Sequence, residues 1–253
     1  MSKGVRFTFN LIQGLVTMAL SFVVIVTLIA SQDGHLVLEA RAHLWPALIH
    51  IWITFLVSLL LATRYRANLG SEAELLPVLF LTIVLANIKI LPLHQAITGT
   101  FLLDGGVLTF IYHGSLLYTS FLFLIGSLLF LRLSPSRIGF ITFVGAAGSA
   151  LLALLVPSSP NDPSFLLEAG VSDSLFLSIC ITLTVVAALS YLVIALGEHT
   201  KRDTRFKTVA FLLLTVGNAF VSISQRTFYN IIGLIIYGAG ATILVLASRS
   251  YHI

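Results

Sequence analysis

The segment "LLPVLFLTIVLANIKILPL" (75–93) decides the fold class of this chain. It is nineteen residues long and carries one charge, Lys89, and a helix needs about 20 mainly apolar residues to cross the hydrocarbon of a bilayer. Apolar runs of similar length recur along the chain. The segment therefore predicts a membrane-spanning helix, and it raises the question of where the ammonium group of Lys89 lies.

Composition agrees with a membrane protein. The 253 residues are 58% hydrophobic and 9% charged, with a mean hydropathy of +1.04, whereas a soluble domain is about 25% charged. The formal charge of +4 would suggest nucleic-acid binding in a soluble protein, but here the basic residues flank the apolar runs, so we expect no nucleic-acid partner. Cys180 is the only cysteine in the sequence, which excludes an intramolecular disulfide or a thiolate cluster.

Apolar windows between charged or turn residues predict eight spans. They run over 9–31, 44–63, 75–93, 107–131, 138–157, 173–196, 207–224 and 229–248. The last two are divided only by "SQRTFYN" (224–230), but Gln225 and Arg226 would be costly inside one helix, so we expect a tight hairpin. The predicted fold class is all-α, a polytopic transmembrane helix bundle that forms one integral membrane domain over 1–253.

The basic residues predict the orientation of these spans. With a cytoplasmic N-terminus, only Arg41 and Arg226 fall in outer segments, and Lys89 lies within a span. An excess of Lys and Arg marks cytoplasmic loops, so we expect both termini to be cytoplasmic and the membrane to be a bacterial inner membrane. A signal peptide cut after Ala30 is the alternative for the first run, although its apolar core is longer than the usual ~7–15 residues. Eleven basic residues fall inside: Lys3, Arg6, Arg64, Arg66, Arg132, Arg137, Lys201, Arg202, Arg205, Lys207 and Arg249.

A weak internal repeat is a further hypothesis, with halves 1–131 and 132–253. It aligns "FLTIVLAN" (80–87) with "FLLLTVGN" (211–218) and places Asn87 and Asn218 at related depths. Transporters are often built from such repeats. Apolar sequences also align by composition alone, so a bundle without an internal repeat is the alternative.

Polar residues near the outer ends of the spans are the candidate site. Lys89 lies four residues before the predicted end of its span, or ~6 Å at the rise of a helix. It could snorkel to the headgroups, or it could form an anion site with polar groups gathered at the same depth. His43, His50, His94 and His113 fall in the same predicted layer. The candidate ligand-binding residues are Lys89, His50, Asn87, His94, His113 and Asn218.

Two histidines on different helices also suggest haem, with His50 and either His94 or His113 as axial ligands. His50 is predicted to lie deeper than the other two, and the sequence has no CxxCH motif, so we expect no cofactor and no metal. Hydrolase and P-loop motifs are also missing from the sequence, and no catalytic residue can be named.

Small and hydroxylated residues at helical spacing predict close helix contacts within the monomer. Gly145, Ser149 and Ala153 form one such face, and "GAGA" (238–241) forms another. Thr215, Asn218, Ser222 and Gln225 form a polar stripe on span 7, which we interpret as a packing face in preference to a substrate path.

Three classes of function agree with these features. The first is a non-catalytic module of the membrane, either a ligand sensor or a subunit of a larger complex, with the bilayer and another membrane or signalling protein as partners. The alternatives are a small transporter of an organic anion or amphiphile, and a membrane-embedded redox or lipid-modifying enzyme.

Overall fold

The computed structural model describes residues 3–30, 36–64, 72–130, 138–156, 174–197, 202–224 and 226–249. These residues are almost wholly helical, and none of them lies in a strand. The all-α prediction is confirmed. The helices are α1 Lys3–Ala30, α2 Leu36–Arg64, α3 Glu72–Ala86, α4 Ile90–Thr98, α5 Gly105–Phe130, α6 Ile138–Leu155, α7 Ser174–Leu196, α8 Arg202–Ile223 and α9 Thr227–Arg249.

Among the described residues, eight helical segments are long and apolar enough to cross a membrane, which agrees with the predicted number of spans. The last two are separate helices, as expected for a hairpin. Most boundaries agree with the prediction to within a few residues. The spans are Gly4–Ala30, Leu44–Thr63, Glu74–Thr98, Gly105–Phe130, Ile138–Leu155, Ser174–Leu196, Asp203–Ile223 and Thr227–Ser248.

The third span is not one helix ending at residue 93, and that prediction is wrong. It consists of α3, a 3₁₀ turn over Asn87–Lys89 and α4. Pro92 has no N–H to donate to Ile88, and its ring crowds that carbonyl, which disfavours an unbroken helix here. The side chain of Asn87 also donates to Ile83 O at 2.8 Å, the carbonyl that its backbone N–H would use in an α-helix.

The end of α4 changes the expected position of Lys89 within its span. Gly99, with φ of 69°, donates its N–H to Gln95 O at 2.8 Å and ends the helix in the left-handed conformation that glycine favours. The span therefore continues to Thr98, nine residues beyond Lys89, or about 13 Å at the rise of a helix. The prediction that Lys89 lies four residues from the end is wrong.

Burial divides the bundle into central and peripheral helices. In an 18-residue stretch of the third span 78% of the residues are buried, against 22% in the fifth span and 28% in an equally long stretch of the sixth. Large side chains on α6 and α7, such as Phe143 and Val193, are exposed and face the surrounding lipid. The main apolar core lies around α3, α5 and α8, with Ile83, Phe123 and Leu214 at its centre.

Glycines allow α8 and α9 to touch backbone to backbone. A Cβ atom at Gly217 would lie 2.5 Å from the backbone N of Tyr237, and one at Gly240 would lie 2.8 Å from the backbone N of Leu214. Only glycine fits such an approach. These contacts confirm the predicted close-packing role of the 238–241 segment within the monomer.

The small-residue face of α6 packs in the same way against α5. A Cβ atom at Gly145 would collide with the ring of Phe121, and Ser149 and Ala153 are both buried. This confirms the prediction that these residues form a packing contact within one molecule.

Candidate functional site

The 3₁₀ turn of the third span places Asn87 against His50 of α2. The Asn87 amide nitrogen lies 3.3 Å from His50 Nδ1 and 2.8 Å from Ile83 O. Both amide hydrogens are thus donated, and His50 Nδ1 is the acceptor, so the ring proton lies on Nε2. His50 is fully buried, and its Nε2 has no hydrogen-bond partner within the described ranges.

Tyr237 of α9 completes the surroundings of His50. Its ring packs edge to face on the imidazole, with 4.5 Å between ring centroids. Thr54 donates its hydroxyl hydrogen to His50 O at 2.7 Å, so Tyr237 must be the donor in the 2.9 Å hydrogen bond between their two hydroxyl groups. An aromatic ring is at most a weak acceptor for His50 Nε2–H.

Lys89 reaches across the bundle to the C-terminal end of α8. Its Nζ donates to Val221 O at 2.8 Å and to Ser222 O at 3.3 Å. Tyr112 of α5 donates its hydroxyl hydrogen to the same Ser222 O at 3.2 Å. The last carbonyl groups of a helix have no partners within it and carry the negative end of its dipole, so an ammonium group is favoured there.

This contact argues against the snorkelling role of Lys89, and the anion site stays a prediction. The side chain does not snorkel away from the bundle, because its ammonium group binds a helix end inside it. Two of the three N–H groups are used by carbonyl oxygens, which leaves one donor on a half-buried side chain. We call His50, Thr54, Asn87, Lys89, Tyr112, Ser222 and Tyr237 the polar centre.

His94 lies near the polar centre but is separately bound. Its Nδ1 is 2.8 Å from the Thr27 hydroxyl of α1, and its Nε2 is 3.1 Å from the Thr100 hydroxyl. Both ring nitrogens are therefore engaged, and the contacts join α4 to α1. His94 helps to hold the second half of the broken span in place.

His113 and Asn218 are buried on α5 and α8. The Nδ1 of His113 lies 2.8 Å from Thr109 O one turn earlier, and its ring packs on Tyr112 and Phe176. Asn218 accepts a 3.3 Å hydrogen bond from Ser222, so it lies one turn before the carbonyl groups that bind Lys89. Of the six candidates, the structure brings His50, Asn87 and Lys89 together and places Asn218 beside them.

The polar stripe of span 7 is inward-facing, since Thr215, Asn218 and Ser222 are all buried. Thr215 donates within its own helix, to Phe211 O at 2.7 Å, and Ser222 donates to Asn218. Gln225, the side chain of His43 and the loop at 158–173 lie outside the described residues.

A buried polar face on α1 was not predicted from the sequence. Asn10 accepts a 2.6 Å hydrogen bond from Ser58 of α2, and Thr27 contacts His94 further along the helix. Between these contacts, both amide atoms of Gln13 and the Thr17 hydroxyl are buried and have no partner in the part of the chain that the structure describes. Their spacing of three or four residues is the signal that could have revealed this face.

The chemistry of the polar centre is hydrogen-bond donation. The His50 Nε2–H and the third N–H of Lys89 are both donors of this centre, and Asn87, which binds His50, lies two residues before Lys89 in the 3₁₀ turn. Within the described residues, no three His, Cys, Asp or Glu side chains lie close enough together to hold a metal ion.

No family model, curated protein or solved structure matches this chain. What the protein does is therefore inferred from the chemistry of the polar centre.

Proposed function

We propose that the chain is a non-catalytic membrane module that binds a small carboxylate at the polar centre. In this role it acts as a ligand sensor, or as the ligand-binding subunit of a larger membrane complex. The proposal includes the predicted orientation, with both termini in the cytoplasm of a bacterium and the spans in its inner membrane. An even number of crossings returns the chain to its starting side, and the basic residues favour the cytoplasm for that side.

The observation that carries the proposal is the buried Nε2–H of His50, which has no acceptor among the described residues. The ring of His50 is bound by Asn87, in the same 3₁₀ turn as Lys89. A polar group left unpaired within the hydrocarbon region costs several kcal/mol. A ligand that accepts this hydrogen bond would remove that cost.

A carboxylate suits these donors better than a neutral ligand. It accepts hydrogen bonds through both oxygens, and hydrogen bonds between ionised partners are about twice as strong as neutral ones. Because Lys89 is the only charged residue between Leu75 and Leu93, it would supply the charge that attracts an anion to this depth. The ligand must be small, because the polar centre is closely packed.

Binding would also change how the bundle is held together. Lys89 joins the 3₁₀ turn to the end of α8 through two backbone carbonyl groups. A carboxylate competes for the same ammonium group, so ligand binding would weaken this connection. A ligand shifts a conformational equilibrium only through different affinities for the two states, and this competition supplies such a difference.

A transporter of small organic anions is the second candidate. Broken helices line the substrate sites of many transporters, and the third span is broken at Asn87–Lys89. The unpartnered polar atoms of Gln13 and Thr17 extend the polar interior along α1. These two observations favour a route for a polar solute.

Thermal unfolding of the purified protein in detergent tests the carboxylate site. Acetate and succinate would be titrated at constant ionic strength, with acetamide as the neutral control. We expect a carboxylate to raise the melting temperature, since a ligand at 100 times its Kd stabilises a protein by about 2.7 kcal/mol. The shift should disappear in Lys89→Met and in His50→Phe.

Lys207→Met is the matched control, because Lys207 is also buried but lies at the opposite end of α8. It should keep the shift. An unchanged melting temperature with every carboxylate, or an equal shift in Lys89→Met, would overturn the proposed site. If proteoliposomes take up labelled acetate and lose this uptake in Lys89→Met, the proposed function would be transport and not sensing.

A further inference from the structure

A groove on the lipid-facing side of the bundle lies between α7 and α8. Its volume is about 370 Å³, and it is open along one side. Thr184 and Ala188 of α7 line one wall, and Val216 and Ala219 of α8 line the other. The lining is almost entirely apolar, and the groove follows the spans, so its surroundings are acyl chains.

One end of the groove has a different chemistry. Ser224 and Tyr229 close it, and Tyr229 stacks on Phe220 with 6.1 Å between ring centroids. Arg226 lies in the turn between them, where its backbone N donates to Ser224 Oγ at 3.2 Å. Arg226 and the neighbouring Phe228 are exposed.

This end of the groove lies at the membrane surface. It is the turn between two spans, and Tyr and other aromatic residues concentrate at the level of the headgroups. A cationic guanidinium group at that level matches a phosphate in charge and in hydrogen-bonding geometry. The apolar walls therefore end at a turn that carries a cationic residue, as the acyl chains of a phospholipid end at a headgroup.

We propose that the groove binds one anionic phospholipid, with an acyl chain between α7 and α8 and its phosphate on Arg226. The groove is at the small end of the 300–1,000 Å³ typical of ligand pockets, which suits a single chain better than another helix. This lipid site is separate from the carboxylate site and does not depend on the proposed function.

The site has a consequence for the polar centre. Ile223 and Ser224 line the groove, and they follow directly on Val221 and Ser222, whose carbonyl groups bind Lys89. A bound lipid would therefore steady the same end of α8 that Lys89 holds from inside the bundle.

Native mass spectrometry of the delipidated protein tests the proposal. The protein would be titrated with palmitoyl-oleoyl phosphatidylglycerol and, separately, with the phosphatidylcholine of the same chains. We expect one phosphatidylglycerol to bind at least 5-fold more tightly than phosphatidylcholine. Arg226→Gln should abolish this preference, and Ala188→Trp, which fills the groove, should weaken binding of both lipids about 10-fold.

Val193→Trp is the matched control, because Val193 is an exposed residue of α7 that does not line the groove. It should bind both lipids as the wild type does. Val216→Phe fills the groove from the α8 side and replaces Ala188→Trp if that variant does not fold. Wild-type lipid binding in a folded groove-filling variant would overturn the site, and so would an unchanged lipid preference in Arg226→Gln. A dimer of the wild type that Ala188→Trp abolishes would assign the groove to a second copy instead.

Discussion

Two neighbours hold α8 in different ways. Along its length, α9 packs against it through Gly217, Gly233 and Gly240, and the two backbones touch. At its C-terminal end, the broken third span holds it through the ammonium group of Lys89. The first contact has no space for water or ligand, whereas the second consists of hydrogen bonds that another acceptor can replace.

The difference shows which parts of the bundle can move. In lipid, helices associate through close van der Waals packing, and that packing is lost as soon as the helices separate. A hydrogen bond to a charged group contributes ~1.5–3 kcal/mol and can be exchanged for one to a ligand. We therefore expect α8 and α9 to stay together as a unit, while the contact with Lys89 opens and closes.

The largest effect should come from breaking the glycine contact. In Gly217→Ala the new Cβ would meet the backbone of Tyr237, which cannot give way as a side chain can. We expect a loss of about 3 kcal/mol in the free energy of unfolding, measured by denaturation in mixed micelles. Gly148→Ala is the control, because nothing lies within 4 Å of its Cβ position; equal stability of both variants would show that α8 and α9 are not in backbone contact.

Removing the ammonium group should have a smaller effect. Lys89→Met leaves Val221 O without its side-chain donor and Ser222 O with Tyr112 alone, and we expect a loss of about 2 kcal/mol. Lys89→Arg keeps the charge and should recover part of it.

A double-mutant cycle of Lys89→Met and Tyr112→Phe tests whether the two side chains share one acceptor. Both side chains donate to Ser222 O, so their effects on the free energy of unfolding should not be additive. Strict additivity would mean that the two donors do not meet at that carbonyl group.

The smallest loss of stability is expected for Tyr237→Phe, which also tests whether this hydroxyl group takes part in ligand binding. Tyr237→Phe removes the hydrogen bond to Thr54 and keeps the ring on His50, so a loss of about 0.6 kcal/mol is expected, the average for such bonds in membranes. Tyr118→Phe removes a comparable bond to Thr142 O, away from the polar centre. The two variants should melt alike, but only Tyr237→Phe should alter the acetate-induced shift; an identical shift in both would exclude Thr54 and Tyr237 from the binding site.

Hydropathy was sufficient to predict the spans because a hydrocarbon solvent leaves only one structure for each apolar run, a helix with every backbone bond satisfied internally. The turn at Arg226 was predictable because a charged residue is costly inside a membrane-spanning helix. The packing face at Gly145 was predictable because small residues concentrate where transmembrane helices touch. The break at Asn87 was not predicted, although Pro92 disfavours an unbroken helix, because its position also depends on the hydrogen-bond acceptors near the Asn87 side chain.

The partners of the polar residues could not be predicted in this way. Lipid and the protein interior are both apolar, so hydropathy does not show which side of a helix faces inward. Gln13 and Thr17 were missed for that reason, and Lys89 was placed four residues from the end of its span because that end was predicted at residue 93.

The sequence by itself determined a bundle of eight apolar helices, because the length and composition of each run decide whether it can cross a bilayer. Only the tertiary structure decided that Lys89 binds the end of α8 and that the Nε2–H of His50 has no acceptor among the described residues. These features depend on which residues from distant parts of the chain meet at one depth, and that is set by helix packing rather than by the polarity of any single segment.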